Sequence, residues 1–224
     1  MIINYKAKVY TLYDIKLIAA FVMVLDHLGI IFDFTSFRWV GRFAFPLFAY
    51  LFVNGVINTS SFINYYFRLL CFALISQITY SVFLSFNRIP VNLNILFLFV
   101  VTFPMIYYLK PCYAKRPNWL AIILSFLLAV IFSYYLDYGI YGVSLIFAIN
   151  CFMYMQFTDA FIVWSVPNVF HYLLLGGYQF IVLPLPFLFK YFKKLPVGEK
   201  ARWFYWFYPV HFIPLIFLKY VTSL

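Results

Sequence analysis

The sequence predicts an all-α fold, a polytopic bundle of transmembrane helices, and three observations lead there. Of its 224 residues, 67% are hydrophobic and only 10% charged, where a soluble domain carries about 25% charged residues. The mean hydropathy is +0.96. Apolar runs of helical length recur along the whole chain, and the brief loops between them hold most of the basic residues. No soluble module, long linker or internal repeat interrupts the pattern, so residues 1–224 read as one integral-membrane domain.

Nine membrane segments are expected, at about 13–32, 39–57, 62–86, 92–109, 118–136, 138–155, 160–175, 177–190 and 203–221. The first follows Asp14 and contains Lys16. No small-residue cleavage pattern comes after it, so it is expected to remain as an anchor. The second carries Arg42 near one end, and the third carries Arg68 within its apolar run. Segments seven and eight read as a helical hairpin broken at Gly176-Gly177. In the ninth, Pro209 frees a backbone carbonyl and favours a kink that opens a polar cavity. Several segments are shorter than the roughly 20 residues of a full span, so tilting or partial crossing is expected.

The formal net charge is +10, from 16 Lys and Arg against six acids. In a soluble protein that balance would raise nucleic-acid binding. Here the bases cluster at Lys6 and Lys8, at Lys110, Lys115 and Arg116, and over residues 190–202. Clustering in short loops follows the positive-inside rule, so the expected partner is the lipid bilayer and not nucleic acid. Placing all three basic stretches in the cytoplasm requires an even number of crossings between them. Nine segments satisfy this, with the N-terminus inside and the C-terminus outside.

Lys16 and His27 lie eleven residues apart in the first segment, with Asp26 directly before the histidine. Eleven helical steps return to nearly the same face, roughly 16 Å along the axis. That is about half the hydrocarbon thickness of a bilayer. Lys16 is then expected at the cytoplasmic edge and His27 beyond the midplane. Ionisable groups at such depth mark a pathway or a reaction. Asp26 points about 100° away from His27, so Arg42 on the next segment is its expected salt-bridge partner, with Asp33 and Arg38 in the outer loop. His211 and Arg68 are further intramembrane candidates, while His171 sits in a short segment near an interface. A satisfied interhelical hydrogen bond is the ordinary alternative for either deep histidine. Three histidines and three cysteines (Cys71, Cys112 and Cys151) show no metal-ligand or disulfide spacing, so no metal is expected. Walker, dinucleotide-binding and Gly-x-Ser-x-Gly signatures are likewise missing from the sequence.

At these residues the chain resembles the TraX family of conjugative pilin N-acetylases. The stretches that carry the resemblance are Lys16 through Asp26-His27, Gly41-Arg42-Phe43-Ala44-Phe45-Pro46, Tyr66-Phe67-Arg68, Asp137 through Gly142, and Phe207-Tyr208-Pro209-Val210-His211. The first two together are specific. The spacing of Lys16 and His27 is also similar to the first-helix signature of the integral-membrane acyltransferases of family three, although the second Arg-x-x-Arg signature of that group is not evident. The resemblance implies a bacterial inner-membrane acyltransferase moving an acetyl group from cytoplasmic acetyl-CoA to an extracytoplasmic acceptor, for this family the N-terminal amine of a pilin. It makes His27 a general base or a transient acetyl carrier. Arg42 stabilises an oxyanion or holds Asp26, and His211 lines the acceptor side or assists proton transfer. Lys16, Arg68, Lys110, Lys115 and Arg116 become candidates for the phosphates of acetyl-CoA. A sugar hydroxyl or a small amine is equally compatible with these residues as acceptor. A proton-coupled transporter or flippase, with Asp26, His27 and Arg42 as relay, is the reading from another class. The lack of an inverted repeat counts against it.

Overall fold

The computed structural model describes residues 10–110, 118–199 and 203–222. The described helices are α1 (Leu12–Phe32), α2 (Thr35–Gly41), α3 (Ala44–Asn58), α4 (Phe62–Phe86), α5 (Ile95–Leu109), α6 (Trp119–Phe132), α7 (Gly139–Tyr154), α8 (Phe157–Leu175), α9 (Leu185–Phe192), α10 (Trp203–Val210) and α11 (Phe212–Thr222). Short 3-10 turns cover Ser133–Tyr135 and Tyr178–Val182. Among the described residues there is no strand, only an isolated parallel bridge between Leu93 and Leu136. The protein is an all-α, polytopic membrane protein. Leu12–Phe32, Thr35–Asn58 and Phe62–Phe86 are each long and apolar enough to cross a membrane, and shorter apolar helices accompany them.

Local chemistry sets the helix ends. A capping box opens α1: the Thr11 amide donates to Asp14 Oδ2 at 2.8 Å, and the Asp14 amide donates to Thr11 Oγ1. It satisfies two otherwise orphaned donors and puts a carboxylate at the positive end of the helix dipole. Ser61, Asn94 and Asn118 cap α4, α5 and α6 more simply, each with a side-chain oxygen that accepts from a first-turn amide. Asp33 ends α1 in the left-handed conformation (φ 56°), and the chain folds back into α2.

The expected segments are recognisable, but three are subdivided. The second is α2 and α3, with a break at Arg42-Phe43. The eighth is a 3-10 turn followed by α9. The ninth divides into α10 and α11 at His211, where Pro209 has no N–H to continue the ladder. Gly176 ends α8 at φ +62° and donates to the Tyr172 carbonyl at 2.9 Å. Glycine enters that region without a Cβ penalty, so the expected break falls at this position.

Helices α3, α5 and α7 form the centre. Phe52 stacks on Phe99 at 4.6 Å, and Val53, Leu98, Leu145 and Ile149 are fully buried. Helices α6 and α8 instead expose Leu120, Ile123, Ile162 and Leu173. Long apolar side chains on an outer face suit contact with lipid, where backbone groups are already satisfied within the helix. Helix α1 packs on α2, α3 and α11, while α4 packs on α5, α10 and α11.

Candidate functional site

Two cavities of about 370 and 360 Å³ lie side by side and share Phe48, Ile95 and Tyr208 in their walls. The first holds His27 and Asp26 from α1, Arg38 from α2, Arg42, Asp137 and His171. The second holds Lys16 from α1 and Arg68 from α4. The helical stripe from Lys16 to His27 thus runs from one cavity to the next.

The Nδ1 of His27 lies 2.6 Å from the Met23 carbonyl, one helical turn back. A carbonyl accepts only, so Nδ1 carries the proton and Nε2, across the ring, keeps its lone pair. His211 repeats the arrangement, with Nδ1 at 3.2 Å from the Phe207 carbonyl. Its Nε2 is buried without a hydrogen-bond partner. The two imidazole centroids are 5.3 Å apart, nearly edge to face, although His211 stands behind His27 and not in the cavity wall. Phe83 and Phe212 close around the His27 ring at 5.2 and 5.1 Å.

Asp26 does not pair with Arg42, as the sequence suggests. Its Oδ2 accepts from Arg38 Nη1 at 2.6 Å. Arg38 is not in an outer loop but on α2, which lies back against α1. Two glycines permit the approach. A Cβ at Gly29 would crowd the Arg38 side chain, and one at Gly41 would overlap the Asp26 side chain. Arg38 takes the ion pair through Oδ2, while Asp26 Oδ1 is buried without a hydrogen-bond partner, and so is the Nε of Arg42, among the described residues.

Asp137 occupies the connection between α6 and α7. Its amide donates to the Leu93 carbonyl at 2.9 Å, and the Leu93 amide donates to the Tyr135 carbonyl at 2.9 Å. That pairing ties the connection to the residues before α5. Burial pushes the Asp137 carboxyl up to about 6, against the opposing effect of its side-chain hydrogen bond with Tyr80. His171, in α8, faces the same cavity with its Nδ1 unpartnered, and its ring lies 4.8 Å from that of Tyr141. Sequence reasoning left Arg38, Tyr80 and His171 outside the site. Asp137 was visible only as the start of a motif.

In the second cavity the Arg68 guanidinium lies over the rings of Tyr65 and Tyr205, at 5.3 and 5.1 Å. Stacking of this kind holds the planar group in place while leaving its edge donors free for an anion. Lys110 caps the C-terminus of α5 and lines neither cavity. Lys115 and Arg116 lie outside the described residues. Among the described residues, no group of three or more His, Cys, Asp or Glu is placed to hold a metal. Together the first cavity offers a basic imidazole nitrogen, a free guanidinium and a second carboxylate. Such a set can move protons and stabilise developing negative charge.

No solved structure matches the chain at a significant level. A curated relative, the "Probable fimbrial assembly protein FimC, serogroup H1" of Dichelobacter nodosus, is 29% identical over 230 residues, covering 90% of this chain and 93% of that protein. The TraX protein family matches residues 11–219, a span that takes in both cavities. The chain belongs to the TraX family.

Proposed function

We propose that the protein is an acetyltransferase of the bacterial inner membrane, which moves an acetyl group from cytoplasmic acetyl-CoA to the N-terminal amine of a pilin on the far side. Membership of the TraX family and the fimbrial-assembly name of the relative support the pilus connection. One observation carries the chemical part of the reading. A cavity with two cations adjoins a cavity with a basic imidazole, and the two share Phe48, Ile95 and Tyr208 in their walls. Acetyl-CoA has the matching polarity, anionic at its nucleotide end and reactive at its thioester.

Lys16 and Arg68 bind the phosphates at the cytoplasmic side; Lys110, which lines neither cavity, and Lys115 and Arg116, outside the described residues, are phosphate candidates from the sequence alone. In the first cavity His27 Nε2 is the general base. It removes a proton from the attacking amine and returns it to the thiolate that leaves. Arg42 faces the carbonyl oxygen as negative charge develops there. Asp26 and Arg38 hold α2 against α1, and Arg42 follows at the C-terminal end of α2. His211 packs against His27 and fixes its ring. In this orientation the N-terminus is cytoplasmic, as the positive-inside rule requires.

The test is a reconstitution of the purified protein with acetyl-CoA and an amine-terminated peptide, read as free CoA. Wild-type protein is expected to release CoA in step with peptide acetylation, and His27→Ala is expected to abolish both. Undiminished CoA release by His27→Ala would remove His27 from the chemistry. Proton-coupled uptake without any CoA release would favour the transporter reading instead.

A further inference from the structure

The first cavity holds two carboxylates in different circumstances. Asp26 is bound to Arg38 at 2.6 Å. Asp137 has no cation within ion-pair distance among the described residues, and its side-chain hydrogen bond is to Tyr80. Arg42, which lines the same cavity, also lacks an ion-pair partner among the described residues. Two opposite charges that line one cavity without joining leave room for a ligand that meets both. An unpaired carboxylate away from water is costly, and a bound cation offsets that cost.

We propose that Asp137, held by Tyr80, is the receptor for the acceptor's ammonium group and takes its first proton. This rests on the acetyl-transfer reading for its catalytic consequence, but not for the binding itself. An α-amino group has a reference pKa of about 7.7–8.0 and therefore arrives largely as an ammonium at neutral pH. Such a group has no lone pair to attack a thioester. Asp137 takes one proton and leaves a neutral amine. Attack on the thioester carbonyl forms the C–N bond, and His27 removes the second proton. The C–S bond then breaks, and the thiolate receives that proton from His27. The proton on Asp137 is released with the product, so one acetyl-CoA and one ammonium yield one amide, one CoA thiol and one proton.

The surroundings favour this assignment over a structural one. Tyr80 and Tyr208 present phenols from α4 and α10, and Tyr138 adjoins Asp137 in the chain. Arg38 and Arg42 favour the ionised carboxylate, and Asp26 opposes it. The connection that carries Asp137 is already pinned through backbone bonds to Leu93. The fold does not need the carboxylate to hold that connection in place. A hydroxyl acceptor would give Asp137 nothing to neutralise, so the site selects cationic amines.

The binding test uses triglycine amide and its N-acetylated form, without acetyl-CoA. Wild-type protein is expected to bind the free amine at least about tenfold more tightly, the scale of one charge-assisted hydrogen bond. Asp137→Asn should reduce that ratio to near one, and Asp137→Glu should retain most of it. The glutamate variant keeps the test decisive where the asparagine variant folds poorly. A wild-type ratio near one, or an unchanged ratio in Asp137→Asn, overturns the proposal. In turnover, Asp137→Asn should lose transfer to the amine at pH 7 and recover it at higher pH. It should also keep transfer to an aminooxy-terminated peptide, which is neutral already. Equal losses on both acceptors would overturn the role. If wild-type protein prefers the free amine but never transfers acetyl, the acetyltransferase reading fails and the ammonium receptor stands.

Discussion

The imidazoles of His27 and His211 face each other at 5.3 Å, and each is tied through Nδ1 to a carbonyl one helical turn back. Both rings are therefore fixed in one tautomer, but only His27 lines the cavity. His27→Ala is expected to lower acetyl transfer by at least about 100-fold, the low end for general acid–base catalysis. His211→Gln should cost less, because it leaves the bond between His27 and Met23 in place. Single-turnover rates with acetyl-CoA and a peptide acceptor measure both.

Asp26 and Arg38 form a partly buried pair, with side-chain exposures of 14% and 27%. Breaking a fully buried pair costs about 3–5 kcal/mol, so Arg38→Ala should cost roughly 3 kcal/mol or somewhat less. A double-mutant cycle with Asp26→Asn should show coupling to Arg38 and little to Arg42. Thermal unfolding in detergent is the measurement, and stronger coupling to Arg42 would contradict the observed pairing.

Gly41 lies so close to Asp26 that any Cβ would overlap the aspartate side chain. Gly41→Ala must push α2 away from α1 or force Asp26 to another rotamer. Overpacking of this kind costs about 1–3 kcal/mol. The variant should lose thermal stability and also the coupling between Asp26 and Arg38.

Lys16 and Arg68 share a cavity that does not contain His27. Lys16→Ala and Arg68→Ala should each raise the KM for acetyl-CoA about tenfold, as expected for one charge-assisted contact, with little change in kcat. A fall in kcat at constant KM would move these residues into the chemistry.

Asp137 gives stability a defined pH dependence. Its carboxyl moves from an ordinary value of 3.8 up to about 6 in the folded protein, so the native state holds the proton more tightly than the unfolded chain. Its stabilising contribution is complete below about pH 4 and is lost as the pH rises through about 6. Asp137→Asn cannot titrate. The thermal midpoint of wild-type protein should therefore fall relative to that variant between pH 4 and 6.

Much of the fold could be read from residue order alone. Apolar runs mark helices because a membrane segment must satisfy its backbone internally, and Gly176 and Pro209 mark real breaks. The relation between Lys16 and His27 was legible because helical period needs no tertiary information. The partner of Asp26 was not. It depends on the left-handed turn at Asp33 and on the close approach at Gly29 and Gly41, which bring Arg38 back beside α1. His171 was hidden for a similar reason, since its place in the cavity depends on how α8 packs against α7. Asp137 reaches the cavity through pairing with Leu93, more than forty positions earlier in the chain.

The central claim is that an acetyl group passes between the two adjoining cavities and so changes sides of the membrane. Proteoliposomes of uniform orientation, with acetyl-CoA on the side of Lys16 and an amine-terminated peptide on the opposite side, test it directly by mass spectrometry of the peptide. The account predicts that the peptide gains one acetyl group while CoA stays in the donor compartment, and that His27→Ala abolishes the gain. An unmodified peptide, or acetylation only when both substrates share one compartment, would contradict it.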